Sequence, residues 1–367
     1  MITMKELGAP IRQWVPDWLG LICIFIVILP VTMLNGSYTG SMLEVSNTLG
    51  TNTEDITMGY YAAAAGMAVS YPIIPKILEA FSIKFLLLAD LVAQFFLSWI
   101  CARSQNADIL IVCSFAIGFL KGFLMLWFIR YAQKIFSPKN IRSQFYSYFY
   151  PFVFGGGQAS MLVTAQLAYH YDCKYMYYFM MLMILLAIVM VIICFRHNRP
   201  IKSIPLADLH IREMFIISTG LLMLMYVINY GKVLDWMASP KICLYIMIAP
   251  ILIALFIWYQ YHSERPYVNL APLYQPKAII GYFYMMLVMF FQYFDYLVDQ
   301  LPDQYLKGRQ YPYLFPLYLF ASGICLGGVH LFLVVPVATL AVSFLDSGRN
   351  ELFRPVLREP LFRDLTG

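Results

Sequence analysis

QFYSYFYPFVFGGGQASMLVTAQLAYH, residues 144–170, is an apolar run without a single Asp, Glu, Lys or Arg. A helix crosses the hydrocarbon core in about 20 residues at about 1.5 Å each, so this stretch is long enough to span a bilayer. It contains Pro151 and then Gly155, Gly156 and Gly157 in a row. In water each glycine would cost a helix about 1 kcal/mol against alanine. In hydrocarbon the alternative is unsatisfied backbone, so the helix persists. Small residues let neighbouring backbones approach, and Gln158 is placed to hydrogen-bond across such a contact. Two readings stay open: a tightly packed structural helix, or one that bends or slides at Pro151 and Gly155–Gly157 as the protein changes state.

The rest of the chain has the same character. Of 367 residues, 61% are hydrophobic and only 12% charged, and mean hydropathy is +0.69. Soluble domains carry about 25% charged residues. The chain is therefore expected to be an all-α integral membrane protein. The net charge of +5 is modest, and no run of five or six basic residues points to nucleic acid. The seven cysteines are scattered, with no Cys-x-x-Cys pair, which indicates neither a zinc site nor a disulfide framework. The first apolar run is long and ends in LNGSYTG, so it reads as a span and not as a cleavable leader. His-Glu-x-x-His and Gly-x-Ser-x-Gly are both absent, which argues against an intramembrane enzyme.

Apolar runs at 18–36, 57–77, 84–103, 108–130, 144–169, 176–195, 213–231, 242–260 and 278–294 predict a succession of spans joined by short loops. Alternate loops, counted from the N-terminus, carry fourteen Lys and Arg, and the intervening set carries four. The positive-inside rule then puts the N-terminus in the cytoplasm. Loop 37–56, with Glu44, Glu54 and Asp55 and no cation, is expected outside. Trp18, Trp99, Trp127, Trp236 and Trp258 lie near span ends, as interfacial anchors would. The segment 196–212, RHNRPIKSIPLADLHIR, is basic and proline-containing and separates the first six spans from the later ones.

The loop PKILEAFSIK (75–84), the span-4 segment IGFLKGFLML with Gly118, Lys121 and Gly122, and the glycine run of span 5 occur in a telling order. After them come YGKVLDWMASPKI (230–242) and HSERPYVNLAPLYQPKAIIGYF (262–283). In that order and spacing the chain resembles the major facilitator superfamily, in its fourteen-span drug:proton antiporter branch, over residues 10 to about 290. The match is degenerate in places. The loop at 75–84 lacks the family's glycines, Gly118 stands where the branch has arginine, and span 5 lacks an adjacent Gly-Pro pair. The resemblance implies alternating access, with a small-molecule substrate bound at midplane between two six-span halves, as the superfamily is built. It implies efflux across the inner membrane, a proton gradient in place of any cofactor, and an outer-membrane efflux partner. The implied domains are a six-span half (1–195), a cytoplasmic linker (196–212), an inserted two-span pair (213–260) and the start of a second half (261–294).

Ionisable groups at the centre of a span cost about 2.5–3.5 kcal/mol on insertion scales. Asp90 in span 3 and Lys121 in span 4 are expected at similar depth on antiparallel helices. They form either a structural pair, with Lys121 snorkelling as a variant of that reading, or a protonatable site. Gln94, one turn beyond Asp90, would share its network. Asn35 in span 1 and Asn229 in span 7 are weaker candidates, since a lone amide is usually packing glue.

Beyond Phe291 the pattern changes. Asp295, Asp299 and Asp303 fall where the ninth span should continue, and the chain ends in FLDSGRNELFRPVLREPLFRDLTG. Residues 295–367 are therefore expected to be an out-of-frame tail. Back-translation one base later, with permitted codons, gives a string with polar loops and apolar spans of transporter type. The apolar stretch 311–345 could still insert, although Pro312, Pro316 and Pro336 would pack poorly there. On this expectation the alternative to a working transporter is a non-transporting fragment.

Overall fold

Backbone amides in hydrocarbon must be satisfied within their own segment, and the apolar runs accordingly coil into helices. The computed structural model describes residues 11–12, 14–37, 42–104, 106–136, 170–196 and 210–263, with scattered positions over 145–167 and 266–286. In chain order the helices are α1 (Asp17–Ser37), α2 (Met42–Leu49), α3 (Thr53–Ser70), α4 (Ile74–Ala80), α5 (Ile83–Arg103), α6 (Ala107–Phe136), α7 (Lys174–Cys194), α8 (Ile211–Tyr230) and α9 (Pro240–His262). Described positions between Phe145 and His170 are helical too. Five helices, α5 to α9, are long and apolar enough to cross a membrane, and α1 contributes a shorter apolar stretch, Asp17–Val31. The protein is thus an all-α, multi-pass membrane bundle.

Three boundaries differ from the hydropathy reading. The second run is not one span: α3 stops at Ser70, a turn covers 71–73, and α4 begins anew. Pro72 and Pro75 explain this, because each lacks an N–H to continue the ladder. α6 runs to Phe136, past the expected end at 130, and loop 37–56 holds the short helix α2. The extension of α6 moves Trp127 well inside the helix. It is buried, packed on Tyr131 and Phe195 at ring-centroid distances of 5.2 and 5.7 Å. Trp127 is therefore a core residue and not the anchor expected from the sequence, whereas Trp18, Trp99, Trp236 and Trp258 are exposed.

Hydrogen bonds sort the helix ends into two sets. At one end, the Arg12 amide donates to Cys194 O at 2.8 Å, and Ile11 bridges to Phe195. There too, Lys84 Nζ donates to the carbonyls of Ile192 and Phe195, both at 3.0 Å. On the same side of α3, the Tyr267 hydroxyl donates to Val69 O. Burial pushes the Tyr267 phenol up, so it stays a donor at neutral pH. At the other end, Thr48 Oγ1 meets Cys173 Sγ at 3.3 Å, Asn229 Nδ2 donates to Glu54 O at 2.6 Å, and the Tyr230 hydroxyl donates to Asp55. α3 and α7 therefore run from the second end to the first, and α5 and α8 run the other way, with Arg12 and Lys84 at the first end and Glu54 and Asp55 at the second.

The main core gathers α1, α4, α5, α6 and α7 around Ile24, Ile28, Leu87, Leu91, Leu124 and Phe128. Outward faces stay apolar: Phe85 and Phe96 on α5, Leu182 and Val189 on α7, Met247 and Ile251 on α9 are exposed. A helix that is apolar on both its packed and its outer face suits lipid, not water.

Candidate functional site

α5 buries one face against its neighbours: Leu87, Asp90, Leu91, Gln94, Ser98, Cys101 and Ala102. Asp90, Gln94 and Ser98 recur every four residues, so they form a polar line along an otherwise apolar helix. All three are enclosed, at 5%, 0% and 0% exposure. Gln94 Nε2 donates to Asp90 Oδ2 at 2.9 Å. Among the described residues, Asp90 Oδ1, Gln94 Oε1 and Ser98 Oγ find no hydrogen-bond partner. Buried polar atoms normally find partners, which makes this line of three a candidate site.

Asp90 also lines a cavity of about 220 Å³. Its walls are Ile73, Ile74 and Ile77 below, Leu86 and Ala89 of α5, and Phe119, Leu120 and Phe123 of α6. One carboxyl among hydrocarbon walls can hold a proton or a positive charge. The apolar surround makes it costly to leave the carboxyl ionised without a counter-charge.

Lys121 belongs to the turn of α6 that forms this wall, and it is only 1% exposed. Its side chain does not snorkel to the surface. It lies on the flank of a close contact between α3 and α6. A Cβ on Gly118 would lie 2.0 Å from Ala63 O, one on Gly66 2.2 Å from Phe115 O, and one on Gly122 1.9 Å from Ser70 Oγ. Gly59, Ala63, Gly66 and Ser70 on α3 lie against the α6 face of Ser114, Gly118 and Gly122, which are spaced four residues apart, the small-residue rule of membrane helices. The sequence carried this signal as Ser-x-x-x-Gly-x-x-x-Gly.

The other sequence candidates are dispersed. Asn229 is at the far end of the bundle, tying α8 to the first turn of α3. Asn35 lies in the last turn of α1. Gly156 and Gly157 are helical, and a Cβ on Gly157 would meet nothing within 4 Å among the described residues. Pro151, Gly155 and Gln158 lie outside the described residues, as does the tail after 286. Ser98 was not singled out from the sequence, because a lone serine in a span is ordinary. Its place one turn beyond Gln94 was the available signal. Among the described residues no group of three or more His, Cys, Asp or Glu is placed to hold a metal ion.

A scan against protein-family models gives no match for this chain, and a search of curated proteins gives none.

Proposed function

We propose that this membrane protein is a secondary transporter of small molecules, proton-coupled and of the drug-efflux type within the major facilitator superfamily. The carrying observation is Asp90. One carboxylate oxygen is held by Gln94 and the other has no partner among the described residues, at a cavity wall inside a membrane-spanning helix. A carboxyl with one oxygen open can take a proton from one side of the membrane and release it to the other. In this reading Gln94 orients the carboxyl, Lys121 tunes it through space, and Asn35, Asn229 and Gln158 serve the pathway or its packing. The helix containing Pro151 and Gly155–Gly157 flexes between states. The basic loops lie in the cytoplasm, with the N-terminus and the 196–212 linker, and the cation-poor end lies outside the cytoplasmic membrane. The order of the sequence segments supports the family assignment. Cooperation with an outer-membrane partner follows only from the efflux reading.

The charge pattern after Phe291 favours a second reading, a non-transporting relative whose second half is out of frame. The nucleotide sequence around codon 291 decides whether a transporter-like frame continues. Movement of ethidium in everted vesicles then separates the two readings. Transport by the given chain, lost in Asp90→Asn and kept in Asp90→Glu, supports the first. Transport only after the frame is restored supports the second. Acid-driven movement that survives Asp90→Asn would remove Asp90 from the mechanism.

A further inference from the structure

The polar line on α5 runs through the middle of the span. α5 extends from Ile83 to Arg103, with Lys84 at the first end of the bundle. At about 1.5 Å per residue, Asp90 stands about 10 Å from its start, Ser98 about 8 Å from its finish, and the two about 12 Å apart. The three residues are at most 5% exposed. Their side chains differ in what they can do. Gln94 turns its Nε2 donor to Asp90 Oδ2, which leaves Oε1 able only to accept. Asp90 Oδ1 and Gln94 Oε1 are then two acceptors that cannot bond each other, and a molecule donating two hydrogens can serve both. Ser98 Oγ both donates and accepts. Successive members are four residues apart, about 6 Å of rise, and two O–H···O bonds of about 2.8 Å laid end to end reach about as far. One water therefore fits between each neighbouring pair. At the Asp90 end there is room, since the cavity of about 220 Å³ is several times the ~30 Å³ share of one water. The other walls of that cavity are apolar, so a water there anchors on the carboxyl.

We propose that α5 holds a short file of internal waters on Asp90 Oδ1, Gln94 Oε1 and Ser98 Oγ, and that this file carries protons between Asp90 and the Arg103 end of the bundle. A proton arriving from that end is accepted by the water beside Ser98. That water, or the Ser98 hydroxyl, passes a different proton to the next water, and the last water gives one to Asp90 Oδ1. Each relay takes one proton and gives one, so only Asp90 changes charge, and the entry side loses a single proton. Gln94 Oε1 accepts without relaying; it pins the waters within reach of each other and is a positioning residue. The water sites follow from the geometry alone. Their use in transport rests on the proposed reading of Asp90 as the coupling carboxyl.

The test is infrared spectroscopy of the full chain in lipid bilayers at mildly acidic pH. The Asp90 carboxyl is the band lost in Asp90→Asn, and its shift on transfer to heavy water times the exchange of its proton. Ser98→Val and Ser98→Thr have one shape and differ only in the hydroxyl. Exchange is expected to be roughly tenfold slower in the valine variant than in the threonine variant, which should match the wild type. Equal rates in the two variants overturn the path. A high-resolution density map of the wild type needs neither variant to fold. Water bridging Gln94 Oε1 and Ser98 Oγ is expected there, and a protein group in that position overturns the file. Acid-driven ethidium movement in everted vesicles separates the two readings. If exchange depends on the Ser98 hydroxyl while the wild type moves no ethidium, the transport reading fails and the file stands. If movement is lost in Asp90→Asn while exchange ignores the Ser98 hydroxyl, the file fails alone.

Discussion

The helix pair α3–α6 and the helix pair α8–α9 pack by opposite means. In α3–α6 the contact is backbone on backbone, so Gly66 and Gly118 leave no room for a methyl group. In α8–α9 the contact is side chain on side chain. A Cβ on Gly220 would stand 3.3 Å from Ile253 and Leu252, close but yielding. Half of the α6 span is buried, against about a sixth of α8 and of α9. α3 is less apolar than its neighbours and carries Glu54 and Asp55 in its first turn. It keeps its place through close packing. α8 and α9 face mostly outward and are tethered to α3 near its two ends, through Tyr230 and Asn229 at one and Tyr267 at the other. In membranes, where burial of apolar surface gives little advantage over lipid, the closeness of approach decides which pair is the rigid one.

The largest effect is expected at the seam. Gly118→Ala and Gly66→Ala force one backbone against another, and overpacking of this kind costs about 1–3 kcal/mol or more. Folded yield in detergent should fall sharply for both. Gly122→Ala should cost less, because the obstacle is the Ser70 hydroxyl, which can swing away at the loss of its 2.8 Å bond to Met67 O. Equal yields for all three would show that the seam is looser than its close contacts imply.

Next in size is the pair beside the seam. If Asp90 and Lys121 interact electrostatically, Asp90→Asn and Lys121→Met should each destabilise more than the double variant, since each single change strands a buried charge. Tm values of the three variants read this out, and additive losses would mean that the two groups act separately. Tyr230→Phe, on the peripheral pair, removes one hydrogen bond to Asp55 and should cost about 1 kcal/mol. A limited-proteolysis rate for the 231–239 turn should rise, with little change in the seam. The smallest effects are expected for Gly220→Ala and Gly157→Ala. The first meets side chains that can give, and the second meets open space among the described residues. A large loss at Gly157 would restore the glycine run as a packing centre.

These contrasts explain what the sequence revealed. Span existence was legible because an apolar run of about twenty residues has few alternatives. Arg12 and Lys84, both counted in the basic set of loops, do meet at one end of the bundle. The break after Ser70 was less visible, since Pro72 and Pro75 sit within an unbroken apolar run. Gly155, Gly156 and Gly157 are the conspicuous glycines of the sequence, and Gly155 lies outside the described residues. Gly118 and Gly122 are less conspicuous, yet their spacing puts both on one face. Asp90 and Gln94 were readable as a network from their spacing alone. The cavity was not, because its walls come from three separate segments.

The contact of Ile11 and Arg12 with the end of α7 carries a consequence in time. Ile11 and Arg12 find this partner only when residues 194 and 195 have been made. At about 5–20 residues per second, synthesis of the intervening stretch takes roughly ten to forty seconds. Throughout that interval Ile11 and Arg12 lack this contact. A ribosome stalled before residue 194 emerges should display an N-terminal segment open to protease, and one stalled well beyond it should not. The latch makes the early bundle answerable to its last helix, so a fault late in that stretch would be felt at the very start of the chain.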